Sequence, residues 1–146
     1  MRDQRCIDGI RDHGGVGDVT TKHSRQPGIA TTPHGELVTA ERTHARIQRL
    51  GPDGRSIAAW AFPAARAAGA LAVAVDDSGR VAVADEPAGR VWLFDEAGRT
   101  LALLSGLARP ASVAFAPDGT LLIAESARGE VRRFAVERVT RVPRGD

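Results

Sequence analysis

The stretch LAVAVDDSGRVAVADEPAGRVWLFDEAGR, Leu71 to Arg99, decides how the chain is read. Short apolar runs rich in valine, alanine and leucine alternate with polar turns. Runs of this length, with β-branched side chains and bounded by Asp and Gly, predict strands and not helices. The expected strands are Leu71 to Val75, Arg80 to Ala84, Arg90 to Phe94 and Arg99 to Leu104. Asp77-Ser78-Gly79 and Glu96-Ala97-Gly98 join them as turns, because glycine supplies the positive φ that tight turns need.

The layout recurs on both sides. PGIATTPHGELVTAERTHARIQRLGPDGR runs from Pro27 to Arg55, and ASVAFAPDGTLLIAESARGEVRRFAVER from Ala111 to Arg138. The turn glycines Gly35, Gly79 and Gly119 lie 44 and 40 residues apart. An Ala-acid pair keeps step with them at Ala40-Glu41, Ala84-Asp85 and Ala124-Glu125, followed by Ile47, Val91 and Val131. In the first unit the reading predicts strands at Ile29 to Thr32, Glu36 to Ala40, Arg46 to Leu50 and Arg55 to Ala61. In the third it predicts Ser112 to Ala116, Thr120 to Ala124 and Glu130 to Ala135. Pro63 to Gly69 reads as a loop insertion that lengthens the first spacing.

Four antiparallel strands per unit of about 40 residues describe a β-propeller blade. The expected fold is all-β, three four-stranded antiparallel repeats in a partial ring, with blades near 27–68, 69–108 and 109–146. Residues 1–26 stay outside the pattern and read as a flexible N-terminal arm; the alternative lends Val16 to Thr21 to a blade as an outer strand. Propellers close with about four to eight blades. A three-blade arc leaves two apolar faces open, which predicts a dimer closing a six-bladed ring, or missing blades of a longer chain.

Composition excludes several classes. At 146 residues, 42% hydrophobic and 26% charged, the chain resembles an ordinary globular domain and not a disordered one. No apolar run reaches the roughly 18 residues of a membrane-spanning helix, and no secretory signal is visible, so a cytoplasmic location and no membrane partner are expected. Lys22 is the only lysine among 20 basic residues, and asparagine and tyrosine are absent. This bias looks like GC-rich coding, so the arginine count is not read as a nucleic-acid footprint. Only Arg128, Arg132, Arg133, Arg138, Arg141 and Arg144 form a local basic excess suited to an acidic partner such as RNA or DNA. The lone Cys6 supports neither a disulfide nor a redox site.

The units resemble the NHL-repeat family and, more loosely, the gluconolactonase-type six-bladed propellers. The second unit carries the likeness best: an Asp-x-x-Gly turn, a strand ending Ala84-Asp85, a short link, then Arg90-Val91. The first supplies Pro27-Gly28-Ile29, Glu41 and Arg46-Ile47; the third has Glu130 where Arg would stand, with Arg128 nearby. Asp85 with Arg90, and Glu41 with Arg46, flank equivalent links and are expected to brace them through charge-assisted hydrogen bonds.

The gluconolactonase resemblance implies a divalent-metal lactonase with Glu, Asn and Asp ligands, and a chain without asparagine cannot assemble that set. Carboxylates alone can hold calcium, which leaves a divalent cation open, but no cofactor or metal ligand set is assigned. His13, His23, His34 and His44 fall singly, without zinc spacing. There is no Gly-x-Ser-x-Gly elbow and no phosphate-binding glycine loop, so no catalytic residue is assigned. Binding is the more economical reading. Propeller ligands commonly sit on loops joining strands two to three and blade to blade. Arg42, His44, Arg66, Glu86, Arg109 and Arg128 stand there as candidate ligand contacts, for a protein or peptide ligand. The expected role is a non-catalytic binding or scaffold module; the alternative is a hydrolase or lyase with a site formed across chains.

Overall fold

The computed structural model describes residues 28–66, 69 and 71–136. They form eleven strands in three antiparallel sheets, with no helix among the described residues. The first sheet holds β1 (Gly28–Thr31), β2 (Leu37–Glu41), β3 (Arg46–Leu50) and β4 (Ser56–Ala61). The second holds β5 (Leu71–Val75), β6 (Val81–Asp85), β7 (Arg90–Phe94) and β8 (Thr100–Leu104). The third holds β9 (Pro110–Phe115), β10 (Leu121–Glu125) and β11 (Glu130–Phe134). Strands pair in sequence order, so each sheet is a meander. A fourth strand for the third sheet, like the proposed N-terminal arm, falls outside the described residues.

The hairpin turns share one design. In each of five, the first residue donates its N–H to the carbonyl four residues on, and a glycine fourth in line donates back to the first residue. The Asp76 amide meets the Arg80 carbonyl at 3.0 Å, and the Gly79 amide meets the Asp76 carbonyl at 3.0 Å. These glycines all have φ between +81° and +91°, where a side chain is strained. Where the opening residue is aspartate, its side chain caps the turn from within: Asp76 Oδ1 accepts from the amides of Ser78 and Arg80, and Asp95 Oδ1 from those of Ala97 and Arg99. This is why Asp recurs at such turns.

The caps carry a pH signature. Burial pushes the Asp76 carboxyl up, but bonds from Ser78 and Arg80 outweigh it and hold the group below its usual 3.8. Asp95 behaves alike, with burial again overcome by bonds from Arg99 and Ala97. Bonds from Thr120 lower Asp118. A carboxyl depressed in the folded state adds stability above its unfolded value and loses it as pH falls through the folded value. Thermal stability should therefore lose this contribution progressively below about pH 4. Asp76→Asn should make that acid limb shallower; an unchanged limb in melts across the range would discount the cap.

The sheets stack side by side. Their first strands meet, β1 on β5 and β5 on β9, with further contact of β2 on β5 and β6 on β9. At β1 the approach is close: a Cβ on Gly28 would lie 2.7 Å from the Leu71 carbonyl oxygen. The middle sheet is sandwiched, and every residue of β6 is buried. Its faces differ in size. Leu71, Val73, Val75, Val81 and Val83 turn toward the first sheet, and Ala72, Ala74, Ala82 and Ala84 toward the third. In the third sheet, the bulky Val113, Leu121 and Ile123 receive that alanine face. The second seam thus sets the alanines of β5 and β6 against larger side chains.

The first seam centres on Phe94, with Trp92 stacked at 6.1 Å and Trp60 tilted at 5.8 Å. Trp60 reaches the β7–β8 turn, where a Cβ on Gly98 would lie 2.6 Å from the indole, at a φ of +91°. Gly98→Ala is expected to cost about 2 kcal/mol in urea unfolding, from strain and overpacking together. A neutral result would mean that the indole moves aside freely.

Candidate functional site

In a sequential meander, alternate connections fall at opposite ends. The β2–β3, β6–β7 and β10–β11 links and both sheet-to-sheet connections therefore share one end, which holds all six candidate contacts. The structure resolves five of these candidates, all but Arg66, into separate ion-paired groups.

Arg42 and Asp85 form the buried one. Arg42 Nη2 lies 2.8 Å from Asp85 Oδ1, with both side chains almost sealed from water. Arg42 Nη1 donates to the Ala65 carbonyl at 2.7 Å and Nε to the Gly69 carbonyl at 3.2 Å. Asp85 Oδ2 accepts from the Ala65 amide at 2.7 Å. This knot ties the loop after β4 to both sheets. Asp85 thus departs from the expected brace: its carboxylate goes to Arg42 of the first sheet and not to Arg90. Arg90 is its direct cross-strand neighbour, yet its side chain is exposed. A buried carboxylate needs the partner that is itself desolvated and multiply bonded, and Arg42 meets that condition. As a ligand contact, Arg42 is already fully engaged.

Glu41 and Arg46 do meet, with Arg46 Nη2 3.0 Å from both carboxylate oxygens. His44 Nδ1 lies 2.8 Å from Glu41 Oε2, and the His44 side chain is 59% exposed. Glu86 Oε1 accepts from Arg109 Nε at 3.2 Å and lies 3.1 Å from Nη2, spanning the second and third sheets. Arg109 holds a φ of +58°, and its carbonyl accepts from the amide and hydroxyl of Ser126. Glu125, buried, pairs with Arg132 at 3.1 Å and with Arg128 at 3.7 Å. Arg66 is exposed. His44, Arg66, Arg109 and Arg128 leave an accessible basic fringe, in which His44, Arg109 and Arg128 each lie beside a carboxylate. Among the described residues no three His, Cys, Asp or Glu side chains gather as a metal would require.

A second feature lies between the second and third sheets, an apolar cleft of about 400 Å³ walled by Val91, Leu101, Leu104, Leu121 and Phe134. At the opposite end, Arg49 was not singled out by the sequence. It is buried, donates to the Gly79 carbonyl at 2.7 Å and lies 3.4 Å from Glu36. An arginine in step with the apolar residues of Ile47-Gln48-Arg49 was the available signal.

No family model matches the chain, and no curated protein matches it. Solved structures do. A catalytically inactive variant of virginiamycin B lyase from Staphylococcus aureus, with quinupristin, superposes with a TM-score of 0.57 at 16% identity, over 81% of this chain and 44% of that one. A streptogramin B lyase gives 0.58 at 15%, over 79% and 42%. A protein of unknown function from Bacteroides caccae gives 0.56 at 17%, over 75% and 46%. The chain spans less than half the length of these structures. Identities this low carry the architecture and nothing finer: the three sheets are β-propeller blades.

Proposed function

We propose that the chain is a non-catalytic binding or scaffold module of NHL-like blades that completes its ring by self-association. One observation carries the reading. Val131 is 65% exposed, whereas Ile47 and Val91, at the same ladder position of their sheets, are 0% and 1% exposed. A seam residue bare to water marks a seam without its partner. Two arcs come close to the length of one solved neighbour, which favours a pair. The basic fringe of the loop end would then line one rim of the ring, open to an acidic peptide or other anion. Light scattering on the purified chain tests the reading: twice the chain mass at micromolar concentration is expected, and a folded monomer would count against it.

The solved lyases favour one further reading, a hydrolase or lyase whose site forms across chains at the loop end. A rise in melting temperature with calcium or another divalent cation would support it, and no shift would leave the scaffold.

A further inference from the structure

The geometry points to a ligand site apart from the loop end and from ring completion: the apolar cleft between the second and third sheets takes a small neutral molecule built of linked or fused aromatic rings. The cleft is walled by side chains of one chain, so it stands or falls separately from self-association.

The repeat supplies the template. In the first seam Trp60 pairs with Ile47 on the ladder and sets its indole 5.8 Å from the ring of Phe94. In the second seam the matching ladder positions belong to Leu104, Val91 and Phe134. Leu104 stands where Trp60 stands, so β8 brings no ring to Phe134. Leu93 likewise holds the place of Arg49, which crosses the first seam to the Gly79 carbonyl. Where two long side chains span the first seam, the second has two leucines and a cleft of about 400 Å³.

Size, shape and charge select the occupant. The volume falls at the lower end of the range that small-molecule sites span. Aromatic rings favour a tilted or offset ring partner; Phe94 obtains one from Trp60, and Phe134 takes one from the ligand. The charged residues of the lining are Arg80 and Asp95, one of each sign. Both are already paired, Arg80 with Asp76 and Asp95 with Arg99. An ionic ligand would leave water for apolar walls without gaining a counter-ion, which is costly, so the site favours a neutral one.

N-phenyl-1-naphthylamine, a neutral aromatic whose emission rises in apolar surroundings, serves as the probe. Titration into the full chain should saturate at one probe per chain, with a Kd between roughly 1 and 100 μM. Leu104→Trp sets an indole into the cleft, as Trp60 does in the first seam, and should weaken binding at least about tenfold. Ala102→Phe narrows the same cleft from a more exposed position and should do likewise, which keeps the test intact if the first variant folds poorly. Leu103→Trp, on the other face of β8 beside Trp92, should leave binding unchanged. The anionic analogue 1-anilinonaphthalene-8-sulfonate should bind at least about tenfold more weakly than the neutral probe. No saturable binding, full affinity in folded Leu104→Trp or Ala102→Phe, or preference for the sulfonate would overturn the proposal, whether light scattering finds a monomer or a dimer.

Discussion

Asp85→Ala is expected to lower the unfolding free energy by about 3–5 kcal/mol. The substitution strips the carboxylate from a guanidinium held almost out of water and removes the acceptor of the Ala65 amide. Desolvation of the remaining charge, and not the lost attraction, supplies most of the cost. Domains are stable by only about 5–15 kcal/mol, so urea melts should register the change plainly. Arg90→Ala, one strand away and exposed, should stay within about 0.5 kcal/mol. A loss below about 1 kcal/mol for Asp85→Ala would mean that water reaches the knot and hydrates Arg42.

Phe94→Ala should cost about 3–5 kcal/mol. The ring is buried between Trp60 of the first sheet and Trp92 of the second. Removing it opens a void at the seam and forfeits two aromatic contacts. Trp60 and Trp92 are the only tryptophans, so the fluorescence of the folded protein should shift to the red in the same variant. Phe94→Leu should recover most of the stability. An unchanged spectrum would place the tryptophans elsewhere than in this cluster.

The strands were legible because their information is local. The ladder from Leu71 to Phe94 is a series of short apolar runs cut by turn residues, and the structure starts and ends each strand within two residues of the reading. The partner of Asp85 was not legible. Arg90 is its neighbour along the ladder, and sequence reasoning favours neighbours; the actual partner comes from another sheet, with its choice set by burial. Arg49 was hidden for a related reason. Its acceptor is the Gly79 carbonyl, a main-chain atom that no side-chain pattern can advertise. Topology alone places these loop residues at one end, yet which of their charges face inward depends on how the sheets stack.

The alternation of alanine and bulkier residues along β5 and β6 gives the second sheet a socket side and a plug side. Its two neighbours therefore meet unlike surfaces. Stacking on such a sheet has a direction. Such polarity ends in a circle when the turn per step divides it evenly and in an open filament when it does not. A small change in tilt at a single seam, such as one caused by repacking around Gly28, would decide between a closed particle and a growing thread.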